Sequence, residues 1–347
     1  MDIKSMTIEE LSEVLRGLGQ PAYRAKQLYS WLHVRLASDY GEMSNLPKDL
    51  REALAAEYPL TVLTKVVRLD SALDETKKYL FRLPDGNVIE SVRMEYHHGV
   101  SVCISSQVGC RMGCSFCAST IGGLVRNLTP SEMLEQVYAI TRDSGARVDN
   151  IVVMGSGEPL DNYENLLRFI KMVTDENGLH ISQRNITVST CGLAPMLRKL
   201  AEEHMAITPA VSLHAPNDEL RKQLMPVAKA YSLRELMAAA WYYAETTGRR
   251  MTFEYSLIEG VNDTPQLAKE LAGLLKGRPA HVNLIPVNPV TERNYRRSLV
   301  KNVLQFQKML ENEGIHVTIR RELGSDIDAA CGQLRRHYEE SKQELKV

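Results

Sequence analysis

The sequence predicts an α/β protein, a mainly parallel sheet with crossover helices, preceded by a smaller accessory module. Three observations carry this. From about residue 100 short apolar runs alternate with amphipathic stretches, the residues before that point lack the alternation, and 347 residues, 44% of them hydrophobic, can bury one large core and a smaller one. The elements follow in order. Thr7 with Glu10 makes a capping-box pattern, and Ile8, Leu11, Leu15 and Leu18 recur at helical spacing until Gly19 and Pro21 stop the run. A second helix carries Leu28, Trp31 and Leu32, and a third follows Pro47 with Leu50 and Leu54. From Thr61 the texture becomes β, with TVLTKVVRL, then KKYLFRL and NVIESVRM joined by Pro84-Asp85-Gly86, where Pro presets φ and Gly tolerates its positive values. Strands are then expected at VSVCISS, NIVVMG, ITVST, PAVSLH, MTFEYSL, HVNLIPV and HVTIRR, separated by helices, the first opened by Thr129 as N-cap, Pro130 and Glu132. These shifts place an accessory domain at residues 1–95, the main domain at 96–335 and a charged tail at 336–347. Six or so βα units are too few for a closed eight-stranded barrel, so an incomplete barrel and an open doubly wound sheet both remain open.

Charge excludes the simplest argument for a nucleic-acid partner. Lys and Arg number 42 against 43 Asp and Glu, so no global basic field exists and any such contact needs local clusters. The candidates are Arg293, Arg296 and Arg297, then Arg320 and Arg321, then Arg335 and Arg336, with Arg24, Lys26 and Arg35 on the first helices. Each also reads as an ordinary solvated face. Charges every few residues break up the N-terminal segment, which predicts a cytosolic protein with no membrane association. Six cysteines in such a chain point to metal or catalytic chemistry rather than a disulfide scaffold.

In parallel α/β folds the reactive groups gather where the strands end. Here the cluster Cys110, Cys114 and Cys117 follows the first parallel strand, Gly155-Ser156-Gly157-Glu158-Pro159 follows the second, Ser189 ends the third, Ser212 and His214 end the fourth, and Asn288 follows HVNLIPV. The C-x3-C-x2-C loop suits three thiolates on one face of a four-iron, four-sulfur cube whose fourth iron stays open. The alternative is zinc, closed by a fourth ligand such as His97 or His98. Taken alone, Glu158 is an ordinary loop acid, His214 a satisfied core histidine, Cys103 a small buried hydrophobe and Glu90 a solvent-facing strand residue.

The cysteine loop with Phe116 resembles the radical S-adenosylmethionine superfamily, and SSQVGCRMGCSFC, MGSGEPL, VSLHAPND, NLIPVNP and DIDAACGQL resemble, over practically the full chain, the RlmN and Cfr family of RNA adenosine methyltransferases. The resemblance implies a partial (β/α)6 barrel behind the accessory domain. It implies a 4Fe-4S cluster on Cys110, Cys114 and Cys117, and S-adenosylmethionine, two molecules per turnover, held by Gly157, Glu158, Ser189, Ser212, Leu213 (through its backbone), His214 and Asn288. It also implies that one cofactor methylates Cys331, that a second supplies a radical which activates this methyl group for addition to adenine, that Glu90 accepts the ring proton, and that Cys103 releases the product by closing a disulfide with Cys331. The implied substrates are 23S rRNA and tRNA, methylated at adenine C2, in the cytoplasm, by a monomer fed by flavodoxin or ferredoxin. Pro159 resembles the C2 group, the C8 group of antibiotic-resistance enzymes carrying Ala there, while Ser156 departs from the more usual Met. A zinc-stabilised RNA-binding module without catalysis is the reading from another class. Cys191 reads as structural.

Overall fold

The computed structural model describes residues 2–288 and 293–327, with Leu334 and Tyr338. Three helices come first, α1 (Ile8–Gly17), α2 (Tyr23–His33) and α3 (Lys48–Glu57). Thr7 and Glu10 close the expected capping box on α1, and Leu11, Leu15, Leu28, Leu32, Leu50 and Leu54 are buried together. Next come β1 (Thr64–Asp70), β2 (Lys77–Arg82) and β3 (Val88–Tyr96), antiparallel neighbours, the last two joined through Gly86 at φ +87°. β4 (Gly99–Cys103) pairs antiparallel with β3, Val92 lying opposite Cys103, so the ladder is unbroken across the expected boundary at 95/96.

Parallel pairing begins at β4. A short hairpin, β5 (Gln107–Gly109) and β6 (Leu124–Asn127), brackets the cysteine loop and was not foreseen from the sequence. Then come α4 (Pro130–Ser144), β7 (Asn150–Val153), α5 (Tyr163–Val173), β8 (Ile186–Thr190), α6 (Ala194–Glu202), β9 (Thr208–Ser212), α7 (Asp218–Leu224), α8 (Leu233–Thr247), β10 (Met251–Leu257), α9 (Pro265–Leu275), β11 (Ala280–Pro286), α10 (Val300–Asn312) and β12 (His316–Ile319). Thr129 caps α4 as expected, with Glu132 completing the box. The sheet order is β1-β2-β3-β4-β7-β8-β9-β10-β11-β12. From β4 on, each strand lies beside its predecessor and the order never reverses. A doubly wound sheet needs such a reversal, whereas right-handed crossovers in one direction put every helix on the same side and curl the sheet into an incomplete barrel.

The N-terminal segment is keyed into this barrel. Lys4, fully buried, places Nζ 2.5 Å from Glu135 of α4 and 2.8 Å from the Thr61 carbonyl, while Arg142 holds the other Glu135 oxygen at 2.7 Å. His33 Nδ1 lies 2.7 Å from the Tyr138 hydroxyl, and apolar residues of α1–α3 and of the barrel helices form one core. No helix among the described residues is long and apolar enough to cross a membrane.

Candidate active site

Two adjoining cavities open at the C-terminal ends of the parallel strands, of about 140 and about 300 Å³. Cys117, Phe116, Met154, Ser189, Ser212 and His214 line both. The inner one adds Cys110, Cys114, Gly157, Glu158 and Cys191, and the outer one adds Cys103, Glu254, Asn288, Arg297, Arg320 and Arg321.

Local hydrogen bonding shapes the cysteine loop. Cys110 N–H donates to the Gly123 carbonyl at 3.0 Å, and the Thr120 hydroxyl donates to the carbonyls of Cys117 and Cys114. Ser115 N–H reaches the Leu224 carbonyl of α7 at 2.9 Å. Burial pushes the Cys110 thiol up to about 12 and raises Cys114 as well. Among the described residues no set of three His, Cys, Asp or Glu side chains converges on one ion-sized point. A cubane does not require that, because each thiolate binds a different iron at its own corner. His97 and His98, considered for zinc, sit in the β3–β4 turn, at the end of β4 remote from the cysteine loop.

The loop after β7 is built around close backbone approach. Gly157 has φ +110°, and a Cβ there would fall 2.6 Å from Ser106 Oγ and 2.7 Å from Gln107 Cβ. Tucking the loop in this way buries Glu158, which is 3% exposed. Its Oε1 accepts from Leu160 N–H at 3.0 Å and its Oε2 from Cys191 N–H at 2.6 Å. Burial raises its pKa and these hydrogen bonds partly oppose the rise. No ion pair reaches the carboxylate among the described residues. A buried acid in the chamber of the three thiols, with no cation beside it among the described residues, fits a ligand ammonium.

His214 occupies the left-handed region at φ +55°, strain of the kind that collects at functional sites. Ser256 N–H donates to its Nδ1 at 2.9 Å, so the proton of the neutral ring is on Nε2. Burial, with Arg221 nearby, pulls its pKa down to about 3, and Phe116 packs edge-on at 4.8 Å. It is thus both a satisfied buried histidine and a donor at the cavity wall. Ser189 and Ser212 present hydroxyls 3.4 Å apart, and Asn288 stands exposed at the mouth. Leu213 lines neither cavity; its side chain joins the core and its carbonyl accepts from Ala215 N–H and Arg221.

Glu90 corrects the solvent-facing reading. It is 4% exposed and pairs at 3.1 Å with Lys78, which is fully buried. The ladder explains why. Lys78 opposes Val92 and Leu80 opposes Glu90, so both charges share the face of Val92 and Met94, which line the outer cavity. Ser105, two residues past Cys103, donates its hydroxyl to the Glu90 carbonyl at 2.8 Å, which sets Glu90 at the level of the rim. Cys103 is buried among Val92, Met94, Met154 and Leu323.

Cys331 lies outside the described residues, as do Arg335 and Arg336. The approach to it is described. After β12 the chain leaves the parallel end and docks on the turn between β1 and β2, where Asp326 accepts from Ser71 Oγ and Ala72 N–H, both at 2.7 Å, and Gly324 N–H donates to Asp74 at 3.0 Å. It passes Cys103 on the way, through Leu323. Of the basic clusters, Arg297, Arg320 and Arg321 are exposed at the outer mouth, Arg297 paired with Glu322 at 2.6 Å, and Arg293 approaches Thr120. Arg24 bonds to Gln27 and Asn45, Lys26 is exposed, and Arg35 stacks on Trp31.

Sequence reasoning passed over Cys191, Arg221, Lys78 and Glu254. Cys191 follows the last residue of β8, so the rule that placed Ser189 at the site applied to it too. Glu254 looked like an interior strand residue, and nothing local marked Arg221 or Lys78 as buried.

Comparison with known proteins agrees with this geometry. Residues 104–271 match the radical SAM superfamily and residues 1–59 the ribosomal RNA large subunit methyltransferase N-terminal domain. A probable dual-specificity RNA methyltransferase RlmN from Lachnoclostridium phytofermentans is 61% identical over 97% of this chain and 95% of that protein. One of the same description from Lachnospira eligens is 57% identical over 99% and 98%. A crystal structure of a radical SAM methyltransferase from Sphaerobacter thermophilus superposes with TM-score 0.93 at 48% identity, covering 96% of this chain and 98% of that one. The superfamily implies a 4Fe-4S cluster and S-adenosylmethionine, and the chamber with three thiols and a buried carboxylate that meets no cation among the described residues fits both. The chain belongs to the RlmN family of radical SAM methyltransferases.

Proposed function

We propose that this chain methylates C2 of adenosine in 23S rRNA and in tRNA through a methylated Cys331 and a transient Cys103–Cys331 disulfide. The observation that carries the reading is Glu158, a buried carboxylate without a cationic partner among the described residues, in the chamber of Cys110, Cys114 and Cys117. The relatives, described as probable dual-specificity RNA methyltransferases, support it. C2 carries no lone pair to attack a sulfonium, so polar displacement fails there and a radical route is needed.

When bound, the cluster and two molecules of S-adenosylmethionine per turnover supply the methyl group and a hydrogen-abstracting carbon radical. The chain's own groups do the rest. Cys110, Cys114 and Cys117 hold the cluster. Glu158 takes the methionyl ammonium, with Gly157 giving room, and Ser189, Ser212, the Leu213 backbone, the Nε2–H of His214 and Asn288 position the remainder. Phe116 and Met154, on the shared wall, keep water from the reacting carbon. The Cys331 thiolate accepts a methyl group by displacement, and that carbon, once stripped of a hydrogen atom, joins adenine. Glu90 then accepts the ring proton as the adduct radical gives up one electron, which the oxidised cluster would take back. The Cys103 thiolate attacks the Cys331 sulfur, the carbon–sulfur bond breaks with its pair on the departing carbon, and protonation there completes the methyl group. The disulfide needs two electrons from a cytosolic thiol system before the next turnover. The segment that docks Asp326 after passing Cys103 supports this pairing, since Cys331 follows Ile327 by four residues.

The target base must be unstacked to reach the cavity, and Arg320 and Arg321 at its mouth suit backbone phosphates. The reading includes a cytoplasmic monomer reduced by a flavodoxin- or ferredoxin-type donor. Anaerobic purification tests the chemistry: a brown, air-sensitive protein with iron and sulfide supports it, and a colourless zinc protein refutes it. Mass spectrometry of rRNA and tRNA from cells with and without the gene then reads the isomer. 2-Methyladenosine is expected, and 8-methyladenosine would replace the regiochemistry.

A further inference from the structure

We infer that Arg221 is the internal counter-charge of the iron-sulfur site and sets the potential at which that site accepts its electron; this rests on the cluster reading above. Among the described residues three cationic side chains, Lys4, Lys78 and Arg221, are fully buried. Lys4 is paired with Glu135 and Lys78 with Glu90. Arg221 has no such carboxylate among the described residues. Its Nη2 donates to the Cys191 carbonyl at 2.7 Å and its Nε to the Leu213 carbonyl at 3.3 Å, while Nη1 is buried without a hydrogen-bond partner. A guanidinium cannot shed its charge, so burying it unpaired is costly unless an anion is normally close by.

The surroundings identify that anion. Burial works against the Arg221 charge, and the neighbours that would favour it when ionised are the sulfurs of Cys191 and Cys114 and then Asp218. Cys114 is one of the three cluster cysteines. Helix α7, which carries Arg221, is stitched to the cysteine loop by the Ser115–Leu224 hydrogen bond, and Leu224 and Met225 pack in one apolar cluster with Cys114 and Cys191. Gly192 leaves the space the guanidinium fills, for a Cβ there would stand 2.8 Å from Nη2. An oxidised cubane core carries two positive charges and its three thiolates three negative ones, so the site holds one net negative charge, and two once a single electron arrives from a low-potential donor. No proton moves. Net charge and burial are the levers that set such potentials. A fixed buried cation favours the reduced form, while Glu158 opposes it.

Arg221→Gln keeps a donor toward the Cys191 carbonyl and removes the charge, and Arg221→Lys keeps the charge. Both are to be purified anaerobically beside the wild type, assayed for iron and sulfide, and titrated redox-potentiometrically with EPR detection. With full cluster content, R221Q is expected to hold about a tenfold lower ratio of reduced to oxidised cluster at fixed potential, a midpoint 59 mV more negative for a one-electron couple. R221K is expected near wild type. A full-cluster R221Q at the wild-type potential would overturn the inference and leave Arg221 a clasp between the ends of β8 and β9. Should R221Q fail to fold, Arg221→Met, which keeps the length of the side chain and removes the charge, carries the test with the same two outcomes. A wild type without iron and sulfide would instead remove the cluster reading.

Discussion

Both oxygens of Glu158 already hold a backbone N–H, from Leu160 and Cys191. Glu158→Gln therefore points an NH2 group at one of those donors as well as removing the charge. S-adenosylmethionine affinity is expected to fall by roughly 30- to 100-fold, about 2–3 kcal/mol, in equilibrium dialysis of the reconstituted protein. Unchanged affinity would remove Glu158 from the cofactor site. The buried histidines give a second prediction. His33 and His214 are both held neutral, chiefly by burial, with pKa values near 3. Below about pH 6.5 the unfolded chain takes up protons that the fold refuses, so stability falls as pH drops toward about 3, by about 1.4 kcal/mol per pH unit for each ring. The urea midpoint should be lower at pH 5 than at pH 7, and His33→Gln should lessen that slope. At this scale the gathering of Cys110, Cys114, Cys117 and Glu158 around one cavity was legible, because strand-end position is a local signal. Glu90 was not, because what buries it is Lys78 on the neighbouring strand.

Residues 320–327 work as an element although the regular structure they hold is a single 3-10 turn, Ser325–Ile327. Asp326 accepts two hydrogen bonds from the β1–β2 turn, and Ser71 and Ala72 hold its pKa below the usual carboxylate range. Asp326→Ala is expected to slow methyl transfer about tenfold and to lower disulfide formation between Cys103 and Cys331, read by nonreducing peptide mass spectrometry, while leaving S-adenosylmethionine affinity intact. Equal loss of both would make the segment a general stabiliser. Helix starts such as Thr129-Pro130 and the parallel strands could be read from caps and apolar runs. The β5–β6 hairpin could not, being three and four residues long and closed across the whole cysteine loop, too short for any periodicity to register.

For the whole molecule, the choice between an incomplete barrel and a doubly wound sheet depended on strand order, which periodicity does not encode; the family resemblance supplied it. Net charge tells a similar story. With a formal charge of −1 the chain has no long-range pull on RNA, so binding is expected to rest on local basic clusters, the arginines at the cavity mouth among them. Replacing Arg320 and Arg321 together by Ala is expected to weaken RNA binding and reduce the slope of log Kd against log salt by about 1.5. Arg297, already engaged by Glu322, should contribute less. A slope identical to wild type would place the RNA surface elsewhere.

The Lys4–Glu135 pair has a temporal consequence. Its members are 131 residues apart, and Ser5 waits likewise for Ser131. At a translation speed of about 5–20 residues per second, the first part of the chain to emerge spends roughly ten seconds without its mate. The segment around Lys4 thus settles only once α4 has emerged, and nascent chains halted before residue 135 should lose it to protease, whereas those halted well beyond it should keep it.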